Sequence, residues 1–72
     1  MNTAKTFSVT INGERRRIQA DSTIAGMLRE LCIDPARVAV ERNLSIVPRS
    51  TLDEKIVADG DTFEIVHFVG GG

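Results

Sequence analysis

Residues 62–72 read Thr62-Phe63-Glu64-Ile65-Val66-His67-Phe68-Val69-Gly70-Gly71-Gly72. The first eight form the most apolar run in the chain; the last three carry no side chains. A run of this length, preceded by the turn-forming Asp59-Gly60-Asp61 and followed by glycine, predicts a strand over residues 62–69. Such a strand needs a partner. The natural one is Thr6-Phe7-Ser8-Val9-Thr10-Ile11, which alternates apolar and polar so that Phe7, Val9 and Ile11 share a face. Asn12-Gly13 then tolerates the positive φ angles of a type I′ hairpin turn, so residues 15–19 return antiparallel. First and last strands would lie side by side and parallel.

Between them the pattern changes period. Asp21-Ser22-Thr23 offers side-chain oxygens for a helix N-cap. Ile24, Met27, Leu28 and Leu31 then fall at i, i+3, i+4 and i+7, the stripe of an amphipathic helix. Ala25, Gly26, Arg29 and Glu30 fall on other sides, which predicts that Gly26→Ala stabilises slightly. Pro35 biases Asp34 out of helical geometry, so the helix should end near Cys32 or Ile33. Residues 38–41 read as a third strand with Val38 and Val40 inward. Asn43 is a turn candidate, and Ile46-Val47 a short strand stopped by Pro48. Leu52 anchors a polar crossing, with Ile56-Val57 another short apolar pair. The predicted class is α+β: a β-grasp with a mixed sheet of four to five strands and one main helix on one face. The domain spans residues 1–69, and residues 70–72 form a flexible tail. The predicted core is Phe7, Val9, Ile11, Ile24, Leu28, Leu31, Val38, Val40, Phe63 and Ile65.

Composition narrows the function. A chain of 72 residues buries only ~60% of the surface it exposes unfolded. A ligand cavity of ~300–1,000 Å³ would hollow out most of that core. Lys+Arg number 9 against Asp+Glu 10, without the basic excess of a nucleic-acid binder. No apolar run approaches the ~20 residues that span a bilayer, and the N-terminus does not read as a signal peptide. Cys32 is the only cysteine, which excludes an intramolecular disulfide and points to a reducing, cytoplasmic setting. No Ser-His-Asp set, phosphate loop or paired carboxylate stands out, so no catalytic residue is expected. His67 is the single histidine, set by alternation with Phe63 and Ile65, and no metal site is expected. Cys32, beside the helix stripe, reads as structural. Arg15-Arg16-Arg17 reads as a solvated edge strand, and Asp59-Gly60-Asp61 as a turn lacking the further ligands of a calcium loop.

Propensity does not explain Gly70-Gly71-Gly72. Glycine lets another surface approach the backbone closely. Extended, residues 69–72 reach roughly 13 Å, enough to thread a narrow channel in another protein. The plain alternative is a frayed end. If Phe63 and Ile65 face the helix, Glu64, Val66 and Phe68 face away. Ala39 then shares that outer face and Ile46 joins it, an apolar patch without internal purpose that suggests partner docking. The plain alternative is that the segment around residues 49–55 folds over it.

The blocks Val38-Ala39-Val40-Glu41-Arg42-Asn43, Ile46-Val47-Pro48-Arg49, Asp59-Gly60-Asp61 and residues 64–72 together resemble the ThiS family, the ubiquitin-like sulfur carriers of thiamine thiazole synthesis. The resemblance runs from about residue 6 to the end, leaving residues 1–5 as a short extension. It implies that the Gly72 carboxylate is adenylated by a ThiF-like adenylyltransferase and converted to a thiocarboxylate with sulfur from a donor such as a cysteine desulfurase. A ThiG-like thiazole synthase would consume that sulfur, and Gly70 and Gly71 would enter both partners' active sites. ATP and magnesium would belong to the activating enzyme; the chain itself would be a monomeric co-substrate without a bound cofactor. The alternatives are a carrier of the related MoaD type in molybdopterin synthesis, a ubiquitin-like protein modifier, or a plain binding module.

Overall fold

The computed structural model describes residues 5–68. Thr6–Ile11 forms β1 and Glu14–Gln19 forms β2, paired antiparallel from Thr6 with Gln19 to Ile11 with Glu14. Asn12 and Gly13 take φ values of 51° and 85°, the mirror-image turn their side chains permit. Ile24–Glu30 forms α1. Val38–Arg42 forms β3, Ser45–Val47 forms β4 and Thr62–His67 forms β5. Short 3-10 turns cover Pro35–Arg37 and Arg49–Thr51. The sheet order is β2-β1-β5-β3-β4, with β5 parallel to β1 and antiparallel to β3. The last strand therefore lies in the middle of a five-stranded mixed sheet, as its composition demands.

One sheet face carries the core. Val9, Ile11, Ile18, Val38, Val40, Phe63 and Ile65 are buried there in one cluster with Ile24, Ala25, Met27 and Leu28 of α1. Phe63 is wholly buried, a contribution of about 1.5–3 kcal/mol from that side chain. Phe7 and Leu31, expected in the core, are only partly buried at its margin. Ala25, placed off the helix stripe by periodicity, is fully buried. Its side of α1 is covered by the crossing segment: Ile24 N–H donates to the Lys55 carbonyl and Ala25 N–H to the Leu52 carbonyl, both at 2.9 Å. Leu52 and Val57 complete the core on that side.

Thr23 is the N-cap; its Oγ1 accepts from Gly26 N–H at 3.0 Å. Gly26 does not face open solvent as expected, because a Cβ there would meet that same oxygen at 3.2 Å. The gain in helix propensity from Gly26→Ala, about 1 kcal/mol, is thus set against displacement of the cap. The helix also ends earlier than predicted. Cys32 adopts φ 63°, its N–H donates to the Arg29 carbonyl, and Ile33 N–H donates to Leu28. This pair of reversed hydrogen bonds closes the helix in a Schellman motif, with Cys32 where glycine is usual. Cys32 is exposed there rather than packed along the stripe. Asp34 caps the next turn through Ala36 N–H, and Pro35 occupies its first position. Among the described residues no helix is long and apolar enough to cross a membrane.

Candidate functional site

The register of β5 decides what the opposite sheet face presents. Ala39 pairs with Val66, Glu41 with Glu64 on one side and Ile46 on the other. Because Phe63 and Ile65 are buried, Glu64 and Val66 point away from α1, and their partners Ala39, Glu41 and Ile46 point the same way. The structure therefore brings Ala39, Ile46, Glu64 and Val66 together as expected. Val66 is 61% exposed and Ile46 77%. Phe68 continues the alternation and is 55% exposed. The guanidinium of Arg49 lies 4.9 Å from the centre of its ring. Arg49 is itself held by its donation to the Ala36 carbonyl at 3.0 Å. The segment after Pro48 thus reaches Phe68 with one side chain and leaves Val66 and Ile46 open. His67, at the end of β5 opposite Val38, is exposed.

Two devices hold β5 where it is. β1 pairs with it only at Thr10 with Thr62 and Ile11 with Phe63 before turning away. The Asn12 side chain then takes over the ladder. Ile65 N–H donates to Asn12 Oδ1 at 2.7 Å, and Asn12 Nδ2 donates to the Ile65 carbonyl at 3.1 Å. At the start of β5, Asp61 is buried and fully engaged. Its Oδ2 accepts from Arg42 Nε at 2.9 Å and from Ala58 N–H at 2.9 Å, while Oδ1 accepts from Asn43 Nδ2 at 3.1 Å. Burial alone would raise the pKa of this carboxyl. The hydrogen bonds from Ala58, Asn43 and Arg42, with the Arg42 charge, outweigh it and hold the value below the ordinary one. Asp59-Gly60-Asp61 is thus a turn, as read, but its last residue is also the hub joining β3, the crossing segment and β5.

Sequence reasoning missed Asn12, Asp61 and Glu41. Glu41 was legible, since it lies two residues after Ala39 on the same strand. Asn12 was read only as a turn residue, and its second role depends on where β5 lies. Among the described residues no group of three His, Cys, Asp or Glu side chains could hold a metal ion. Gly70, Gly71 and Gly72, the expected reactive segment, lie outside the described residues, as does Val69.

A five-stranded mixed sheet with one main helix on one face, its central strand running on in sequence to Gly70-Gly71-Gly72, defines a domain of the β-grasp class. A family model described as the ThiS family matches residues 9–72. The chain belongs to the ThiS family. It is 38% identical over 63 residues to the sulfur carrier protein ThiS of Bacillus subtilis, covering 86% of this chain and 96% of that one. It is 52% identical over 66 residues to a thiazole synthase of Paramagnetospirillum magneticum, covering 92% of this chain but only 20% of that protein. The chain thus spans about a fifth of the length of the thiazole synthases it matches. In three dimensions it resembles the crystal structure of the thiamine biosynthesis protein ThiS from Geobacter metallireducens, with TM-score 0.77 and 29% identity. That match covers 92% of this chain and 100% of the other.

Proposed function

We propose that the reactive group of this carrier is the Gly72 carboxylate, and that it delivers sulfur to a thiazole synthase. A carboxylate is a poor electrophile. A ThiF-like adenylyltransferase would therefore use ATP and magnesium to form the Gly72 acyl-adenylate, releasing pyrophosphate. The terminal sulfur of a persulfide on a cysteine desulfurase or related donor would then displace AMP to give an acyl disulfide. A thiol would reduce its S–S bond, ending as a disulfide with the donor sulfur and leaving the thiocarboxylate on Gly72. Gly70 and Gly71 serve by lacking a Cβ that would block entry to the partners' active sites. The chain contributes no catalytic side chain and carries no bound cofactor; it is consumed and regenerated as a co-substrate in the cytoplasm. Its partner face comprises Ala39, Ile46, Glu64, Val66 and Phe68.

The observation that carries this reading is the central position of β5, hydrogen-bonded on both sides and exposing Val66 on the face away from the helix. A docking surface and the root of the reactive segment then belong to one rigid strand. The thiazole synthases that contain a ThiS-like stretch within a longer chain favour thiazole synthesis over a molybdopterin role. The test is intact-protein mass spectrometry after incubation with ATP, the organism's adenylyltransferase and a sulfur donor. The expected result is a mass gain equal to one oxygen replaced by sulfur, located at Gly72. No gain with an active enzyme and folded carrier would overturn the proposal.

A further inference from the structure

Glu41 and Glu64 face each other across β3 and β5. Asn43 N–H donates to the Thr62 carbonyl at 2.7 Å and Phe68 N–H to the Arg37 carbonyl at 3.0 Å, at alternate positions of the same ladder. Positions 41 and 64 therefore form a hydrogen-bonded pair, with Cα atoms about 5.5 Å apart. Like charges directly opposite on one sheet face are destabilising. Among the described residues neither carboxylate accepts a hydrogen bond or an ion pair. Arg16, Arg29, Arg37 and Arg42 are instead paired with Glu14, Asp53, Asp34 and Asp61. Arg15 and Arg17 project from the same sheet face, but from β2, two strands away from β5.

The surroundings of the two carboxylates decide what can bind there. Ala39, Val66 and Ile46 flank them and are exposed. A partner that covers those apolar side chains also strips water from the carboxylates. With a neutral surface it would bury two unpaired anions, a cost that apolar contact of this size does not offset. A partner bringing a guanidinium or ammonium group between them would remove that cost and the intramolecular repulsion together. We propose that Glu41 and Glu64 form the anionic centre of the docking face, and that the thiazole synthase surface it fits is an apolar patch holding one or two Arg or Lys side chains. This inference rests on the outer face being the partner face.

The experiment measures the affinity of the full chain for the organism's own thiazole synthase at low and high salt, together with the melting temperature of the free chain. Glu41→Gln/Glu64→Gln keeps side-chain size and removes the charge. The expected result is a free chain that melts roughly 2–5 °C higher, because the repulsion is gone, and that binds about 10- to 100-fold more weakly. The salt dependence of binding should largely vanish. A purely structural role for the pair would not move stability and affinity in opposite directions. Val66→Asp serves as the control for the face itself. Weakened binding by Val66→Asp with unchanged binding by the glutamine variant overturns the charge assignment and leaves the docking face standing. Unchanged binding by both overturns the docking face and this inference with it.

Discussion

Asp61 shows how much one residue in a turn can carry. Its carboxyl is reached by Arg42 of β3, by Asn43 in the turn after β3 and by Ala58 N–H of the crossing segment, so the residue just before β5 ties three parts of the chain together. The sign of its pH effect follows from its lowered pKa. The stabilisation is complete above about pH 4, near the carboxyl's unfolded value, and is lost as pH falls through the lower folded value. Asp61→Asn is expected to cost about 2–3 kcal/mol at pH 7, because it leaves the half-buried Arg42 without its counter-charge. In urea titrations from pH 7 down to pH 2, the gap between the two proteins should close below about pH 4. A gap constant across that range would mean that the charge on Asp61 is not what stabilises. Leu44 is a second residue-scale oddity: it sits at φ 74° in the turn between β3 and β4 and is 89% exposed. Nothing in the described contacts explains a leucine there.

At the scale of elements, the weak joint is β1 with β5. Two residue pairs make a short parallel ladder for the strand at the centre of the sheet. Because positions 39 and 41 hydrogen-bond across to 66 and 64, Ile65 directs its N–H and carbonyl to the other side, toward β1. There β1 has already turned, and the Asn12 amide supplies one acceptor and one donor in place of the missing backbone. Asn12→Gly retains a residue tolerant of φ 51° and removes only the clamp. It should cost about 1–3 kcal/mol, the consequence of leaving two central backbone groups unpaired. Amide hydrogen exchange at Ile65 should accelerate more than at Val9 or Val40. Equal protection at all three positions would show that water or a strand shift replaces the side chain.

For the whole molecule, the five-stranded sheet has two edge strands, β2 and β4, at which another chain could pair. β4 is only three residues long and is ended by Pro48, which cannot donate to a ladder. β2, the other edge, presents Arg15, Arg16 and Arg17 in succession, all exposed. Charged edge residues oppose pairing with another strand. Replacing all three by Thr, a good strand former, should leave the fold intact by circular dichroism. It should also produce concentration-dependent self-association in sedimentation velocity. A monomer at every concentration would move the protection elsewhere, to the sheet's twist or to β4.

Much of this molecule was legible in its residues. The alternation of Phe7, Val9 and Ile11, the Asn12-Gly13 turn, the capped stripe from Ile24, and the apolar last strand determined the elements and their order. Period and turn chemistry are local, and local signals survive without knowledge of the fold. The outer-face set of Ala39, Ile46, Glu64 and Val66 followed from the same period of two once Phe63 and Ile65 were taken as core. The tertiary structure alone decided the rest. Ala25 is buried because the crossing segment lies against it, and the helix stops at Glu30 because Cys32 accepts a left-handed backbone. Asn12 and Asp61 do their work through partners 53 and 18–19 residues away in sequence. Glu41 meets Glu64 only because β3 and β5 pair in one register and not another. Such contacts arise from which strands become neighbours, and that is settled by the packing of the whole chain rather than by any stretch of it.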